Sequence, residues 1–227
     1  HILEEIAAAA RALEKSLGRR IVVIAETDAN DVRLIKPKKE GGYGLDAQWM
    51  DDFHHTVHTA LTGEDKGYYQ DYGRIEDLEK VYRNYLYTGE YSTFWKGRRG
   101  SDAADVPGAR FVVAIQMHDQ VGNRARGERL SQLVKFPYLK AAAGLLFTAP
   151  YIPMLFMGEE YAEENPFLFF TDYQDPGLKK AVVEGRREEF TAFGWGDIPN
   201  PEEDSTFFTS RLTPRERWRP HQEQIFN

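Results

Sequence analysis

Two carboxyl groups sit in this sequence where acid and base chemistry would need them. Glu26 follows the apolar run Ile21-Val22-Val23-Ile24-Ala25, and Asp119 follows Phe111-Val112-Val113-Ala114-Ile115, flanked by His118 and Gln120. Such β-branched, uncharged runs suit strands buried on both faces of a parallel sheet. The carboxyl ends of those strands are where ligand and catalytic groups collect in α/β folds. Carboxyls at the ends of two different strands can converge on one bond, one moving a proton while the other carries charge. Either could instead cap the helix that follows it. Glu26 also opens a polar loop containing Asp28 and Asn30, and Glu159, with Gly158 and Glu160, closes a further apolar run. That last ending reads equally as the wall of a site or as a simple turn.

Other chemistries are poorly served. His54 and His58 are four apart and share a helical face, but His55 stands where an HExxH motif needs Glu, and no further ligand is evident. A calcium loop starting at Asp28 fails as well, with Arg33 in place of the required Gly and Lys39 in place of the bidentate Glu. With no cysteine, no G-x-S-x-G elbow and no glycine-rich phosphate loop, thiol, serine and nucleotide chemistry lack their residues. No metal and no cofactor is expected.

The elements that would position these groups alternate between helix and strand. Residues 2–17 carry apolar side chains at helical spacing and stop at Gly18, a good helix C-cap. The Ile21–Ala25 strand follows, then a candidate strand at Leu45–Trp49 leading into a helix over residues 50–61, which holds Asp52 and His54. A surface helix is expected over 75–87, a long loop over 88–108, and the Phe111–Ile115 strand after it. A nearly all-apolar, buried helix over 138–147 precedes a fourth strand at Met154–Met157, and one further helix spans 178–190. The alternation predicts an α/β fold with a parallel sheet. Residues 1–193 would form it, and 194–227, rich in proline and short of periodic apolar positions, would be an extended or partly disordered tail.

Charge narrows the partners. With 36 acidic against 29 basic residues the net charge is −7, which repels a phosphate backbone, so nucleic acid is not expected. The uncharged run 141–157 is broken by Pro150 and Pro153, which argues against a membrane span. Absent cysteine and an N-terminus without a signal-like segment suit a cytoplasmic protein. Aromatic residues are plentiful at 13%, and rings on loops are one means of holding sugar faces.

Three motifs closely resemble the α-amylase superfamily: Ala25-Glu26-Thr27-Asp28, Gln116-Met117-His118-Asp119-Gln120, and Pro153-Met154-Leu155-Phe156-Met157-Gly158-Glu159-Glu160. More specific stretches are Tyr43–Trp49, Asp51–His55, His118–Arg124 and Glu159–Phe167, and these are similar to the maltooligosyltrehalose trehalohydrolase family. Glycogen branching enzymes share the general motifs, and a fragment of one of these or of another α-amylase-type enzyme is the alternative. The resemblance implies strands five to eight of a (β/α)8 barrel and a retaining glycoside hydrolase that releases trehalose from maltooligosyl trehalose. It implies Glu26 as acid/base and Asp119 as transition-state stabiliser. His118, Asp28, Asn30, Asp52, His54, Gln120 and Glu159 would then be substrate-binding. The family's nucleophile lies in an F-R-x-D-A segment, which the 227 residues do not contain, so this chain alone is expected to be inactive. Met117 also departs from the family's usual Asn. A half-barrel leaves two sheet edges bare, which predicts either a homodimer paired through them or a chain that is a fragment of a longer protein.

Overall fold

The computed structural model describes residues 1–192 and 198–226 of the chain. They divide into two compact units. The first comprises His1–Ile115 with Ala142–Met154, and the second Gln116–Ala141 with the described residues from Leu155 onward. The expected boundary at residues 193–194 lies outside the described residues.

The first unit is built on a four-stranded parallel sheet, as the alternation predicts. Its strands are β1 (Ile24–Ala25), β2 (Ala47–Trp49), β5 (Phe111–Val113) and β6 (Ile152–Pro153), in that spatial order. Ile24 pairs with Ala47, Trp49 with Val112, and Val113 with Pro153. These strands are only two or three residues long, so side chains reinforce them. The Asp46 carboxylate, just before β2, accepts from Val23 N and from Arg11 of helix α1 (Ile2–Leu17), both at 2.8 Å. Helix α1 ends as expected at Gly18, left-handed at φ 63°, where its N–H reaches Glu14 O. The sequence places the fourth strand at Met154–Met157. Pairing falls two residues earlier, because Met154 N makes the last ladder bond, to Val113 O at 2.8 Å, and the chain then turns.

Helix α2 (Asp51–Thr62) buries nearly its whole first two turns, including Phe53 and Val57. Helix α3 is shorter than the periodicity suggests, stopping at Val81 after starting at Ile75. The expected loop over 88–108 contains an antiparallel hairpin, β3 (Thr88–Ser92) with β4 (Gly97–Gly100). Asp71 holds its turn, accepting from Tyr87 Oη, Ser92 Oγ, Thr93 N and Phe94 N at 2.7–3.2 Å. Burial alone would raise that carboxyl, but these donors hold it below the usual range.

The second unit carries α4 (His118–Gly122), α5 (Leu130–Leu133), α7 (Pro176–Ala192), α8 (Asp204–Thr209) and α9 (Pro220–Phe226). The last two occupy the stretch expected to be extended. They are ordered through contacts too distant in sequence for periodicity to reveal. Buried Glu163 accepts from Glu164 N, Asn165 N and both Thr213 N and Thr213 Oγ1, and Tyr161 stacks on Trp218 with centroids 4.2 Å apart. Helix α6 (Phe136–Thr148) differs from expectation too: Ala142 and Leu146 are buried, but Phe136, Tyr138 and Phe147 are exposed.

The approach to β5 depends on Gly108. A Cβ there would lie 1.9 Å from Pro150 O, a backbone atom two residues before β6. G108A is therefore expected to lower stability by about 1–3 kcal/mol in urea unfolding. G144A, in open space within α6, should raise it by about 0.5–1 kcal/mol.

Candidate active site

Because all four strands of the sheet run the same way, Glu26, the start of α2 and the Ile115 end of β5 emerge at one end of the first unit. Glu26 directly follows β1, and it is exposed. The loop behind it is fixed from several sides. Asn30 adopts a left-handed backbone, φ 52°, which Asn tolerates better than most residues. Its carbonyl accepts from Ser101 N and Ser101 Oγ at 3.0 and 2.9 Å. Its side-chain amide donates to Asp52 Oδ2 at 2.6 Å.

Asp52 is 2% exposed and accepts from four donors: Asn30 Nδ2, Tyr72 Oη, Leu86 N and Tyr87 N, at 2.6, 2.6, 2.6 and 3.3 Å. Burial raises its carboxyl above the ordinary value, against the pull of those donors. Its place in the first turn of α2 also suits a negative charge. The arrangement makes Asp52 the anchor of the Glu26 loop.

Asp28 is exposed and pairs with Arg99 of β4, whose guanidinium lies 3.1 Å from Asp28 Oδ2, also donates to the Asp28 carbonyl, and covers the Trp95 ring at 4.7 Å. Arg99, Ser101 and Asp71 were not identifiable from the sequence alone. Each lies in or beside a hairpin whose alternation is too weak to announce it. Gln48 is a further unexpected polar residue, fully buried on β2, with neither amide atom hydrogen-bonded among the described residues.

The histidines of α2 form a packed cluster. His54, 2% exposed, donates from Nδ1 to Ile115 O at 2.7 Å, which leaves Nε2 to accept from Tyr69 Oη at 3.0 Å. It thereby ties α2 to the end of β5. His58 stacks on Tyr69 and meets Glu64 at 2.7 Å, while His55 hydrogen-bonds Asp51 O at 2.7 Å. Burial pushes His55 down to about 3, so this ring is neutral when folded. Among the described residues no group of histidines and acids has a metal-holding arrangement.

In the second unit, His118 and Asp119 are exposed in the first turn of α4, and Gln120 is buried behind them. Asp119 Oδ1 accepts from Asn123 Nδ2 at 2.6 Å, one helical turn on. Gln116, two residues before His118, is 5% exposed and accepts from Leu130 N at 2.7 Å. Its side chain faces Glu159, whose Oε2 accepts from Phe156 N at 3.0 Å. The structure thus brings Asn30 together with Asp52, and Glu159 together with Gln116. Glu26 and Asp28 lie in the first unit, and His118 and Asp119 in the second.

No family model matches the chain. Searches of curated proteins find malto-oligosyltrehalose trehalohydrolases. The one from Saccharolobus solfataricus is 50% identical over 94% of this chain, that from Mycobacterium tuberculosis 46% over 93%, and that from Deinococcus radiodurans 40% over 96%. A crystal structure from Salmonella typhimurium carrying an α-amylase description superposes on the whole chain, with TM-score 0.88 and 37% identity. The chain spans 36–37% of the length of those three relatives and 39% of that structure. Over the segment it covers, the chain is related to the malto-oligosyltrehalose trehalohydrolases, and its parallel sheet and helices fit part of an α-amylase-type barrel. Among the described residues no helix is long and apolar enough to cross a membrane.

Two measurements follow from the buried groups. D52A should cost about 3 kcal/mol in urea unfolding by stranding the Asn30, Leu86 and Tyr87 donors. His55 has a folded value lowered to about 3 against an ordinary 6.5, so the unfolded chain binds more protons between those values. Stability should accordingly fall as pH drops below about 6.5, by up to about 1.4 kcal/mol per pH unit, and H55F should flatten that slope.

Proposed function

We propose that this chain, related over its length to the malto-oligosyltrehalose trehalohydrolases, supplies the acid/base and the transition-state stabiliser of a retaining glycoside hydrolase that frees trehalose from maltooligosyl trehalose. The observation that carries the reading is 40–50% identity across nearly the whole chain, with the strand-end motifs inside the matched region. Exposed Glu26 gives a proton to the glycosidic oxygen as the bond breaks, then takes one from water in the second step. Asp119, beside His118, balances the positive charge of the oxocarbenium-like sugar and grips its hydroxyls. Asp28, Asn30, Gln120 and Glu159 contact the sugar or shape its bed. Asp52 and His54, both buried, act by holding the Glu26 loop and the β5 end.

The covalent step needs an Asp nucleophile, and the absence of an F-R-x-D-A segment from these 227 residues supports inactivity of this chain by itself. The same absence favours a second reading, a sugar-binding segment that cannot turn over. The sheet edges add a partner to the proposal. Val22 and Ile24 at β1 and Ile152 at β6 are exposed, and a second copy pairing there would cover them. A cysteine-free chain suits the reducing cytoplasm.

Incubated with maltooligosyl trehalose, this chain alone should release trehalose only at background rates. Release at the rate of a complete enzyme would overturn the nucleophile argument. By calorimetry D119A should weaken maltooligosaccharide binding about tenfold or more, equivalent to about 1.4 kcal/mol. Unchanged affinity would remove Asp119 from the sugar site, and sedimentation as a monomer would remove the dimer.

A further inference from the structure

Asp119 is not held by its own short helix alone. Its Oδ1 accepts from Nδ2 of Asn123, the C-cap of α4, at 2.6 Å, and Asn123 Oδ1 in turn accepts from Arg186 Nη1 at 3.1 Å. The other terminal nitrogen of Arg186, Nη2, donates to Gly122 O at 3.0 Å. Arg186 therefore grips the end of α4 at two points, one on a side chain and one on the main chain. A cation suits that end of a helix, where carbonyls are left without amide partners. Arg186 comes from α7, and its place is set by packing. Phe190, one turn further along α7, is 2% exposed, and the guanidinium carbon lies 4.8 Å from its ring centroid and 4.0 Å from that of Phe169. Rings on this half-buried side chain restrict where the guanidinium can sit, so less freedom is lost when its hydrogen bonds form.

The donors and acceptors along this chain of groups fix its polarity. Arginine has donors only, so the Asn123 atom facing it must be the carbonyl oxygen, and the amide NH2 must face Asp119. An ionised carboxylate has acceptors only, and it is matched there. Without Arg186 the Asn123 amide would be free to turn, and a carbonyl oxygen would then face a carboxylate. Holding the amide thus holds Oδ1 of Asp119, and with it the rotation of the whole carboxylate.

We propose that Arg186 is a positioning residue for Asp119: acting through Asn123, it fixes which way the Asp119 carboxylate faces and leaves Oδ2 for a sugar hydroxyl. This rests on reading Asp119 as a sugar contact. Arg186 contributes without touching the sugar, by keeping one carboxylate oxygen occupied and the other presented.

A double-mutant cycle on the full chain tests this, read by calorimetry with maltooligosaccharide and by NMR of the Asn123 side-chain amide. R186M keeps an apolar stem against Phe169 and removes the donors. It is expected to weaken binding about fivefold, roughly the worth of one hydrogen bond, but by less than about twofold once D119A is present. Equal losses with and without Asp119 would overturn the proposal, because a packing role costs the same in both backgrounds. By NMR, D119A should move the Asn123 NH2 protons in the otherwise unsubstituted chain and move them far less in R186M, where the amide is already released. An equal response in both backgrounds would also overturn it. Should R186M fail to fold, N123A takes its place in the binding cycle with the same expectation, and a loss that persists in D119A would again overturn the link. D119A that leaves affinity unchanged refutes the sugar reading, and with it the binding claim, while the NMR cycle still judges the hold of Arg186 on Asn123.

Discussion

The Asp52 carboxylate is the contact on which the first unit's geometry depends. One negative charge, buried at the start of α2, collects a side-chain amide from the loop after β1, a phenol from Tyr72, and two consecutive main-chain amides at residues 86 and 87. A buried carboxylate is costly unless its lone pairs are filled, and here four donors fill them. Removing any one of the contributing segments leaves the others facing an underfilled charge. The loop carrying Glu26, the helix carrying the histidines and the stretch entering the β3–β4 hairpin are therefore stabilised together.

This explains a division of labour among the polar residues. Glu26, Asp28, His118 and Asp119 are exposed at or beyond strand ends, while Asn30, Asp52, His54 and Gln116 are buried and hydrogen-bonded within the protein. The exposed set keeps its polar atoms at the surface, with Asp28 against Arg99 and Asp119 against Asn123. The buried set has spent its hydrogen-bonding capacity on the frame. His54 illustrates the second role, since Nδ1 is committed to the Ile115 carbonyl and the ring is wedged against Tyr69 and His58.

How far the sequence reveals all this depends on the range of the interaction involved. Local signals are faithful: the α1 periodicity ends at Gly18, and the uncharged runs before Glu26 and Gln116 contain β1 and β5. The register of β6 is displaced because Met154–Met157 looks like the better strand by composition, although the ladder closes at Met154 N. Gly, Ser and charged residues disguise the hairpin, and Asp71, some twenty residues upstream, supplies the order of its turn. The C-terminal stretch is similar, with Glu163 reaching Thr213 across fifty positions. For the site, strand-end position reveals Glu26 and Asp119 directly. It cannot say that Asp52 faces inward or that Arg99 comes to rest on Asp28.

The shortness of the parallel strands has a consequence for local dynamics. A sheet whose strands contribute two or three residues each protects few backbone amides by its ladder. Part of the protection from hydrogen exchange should therefore come from off the sheet, at amides captured by buried acids: Leu86 and Tyr87 on Asp52, and Asn165 and Glu164 on Glu163. Some of the slower-opening amides of this molecule would then lie in segments that are loops by name.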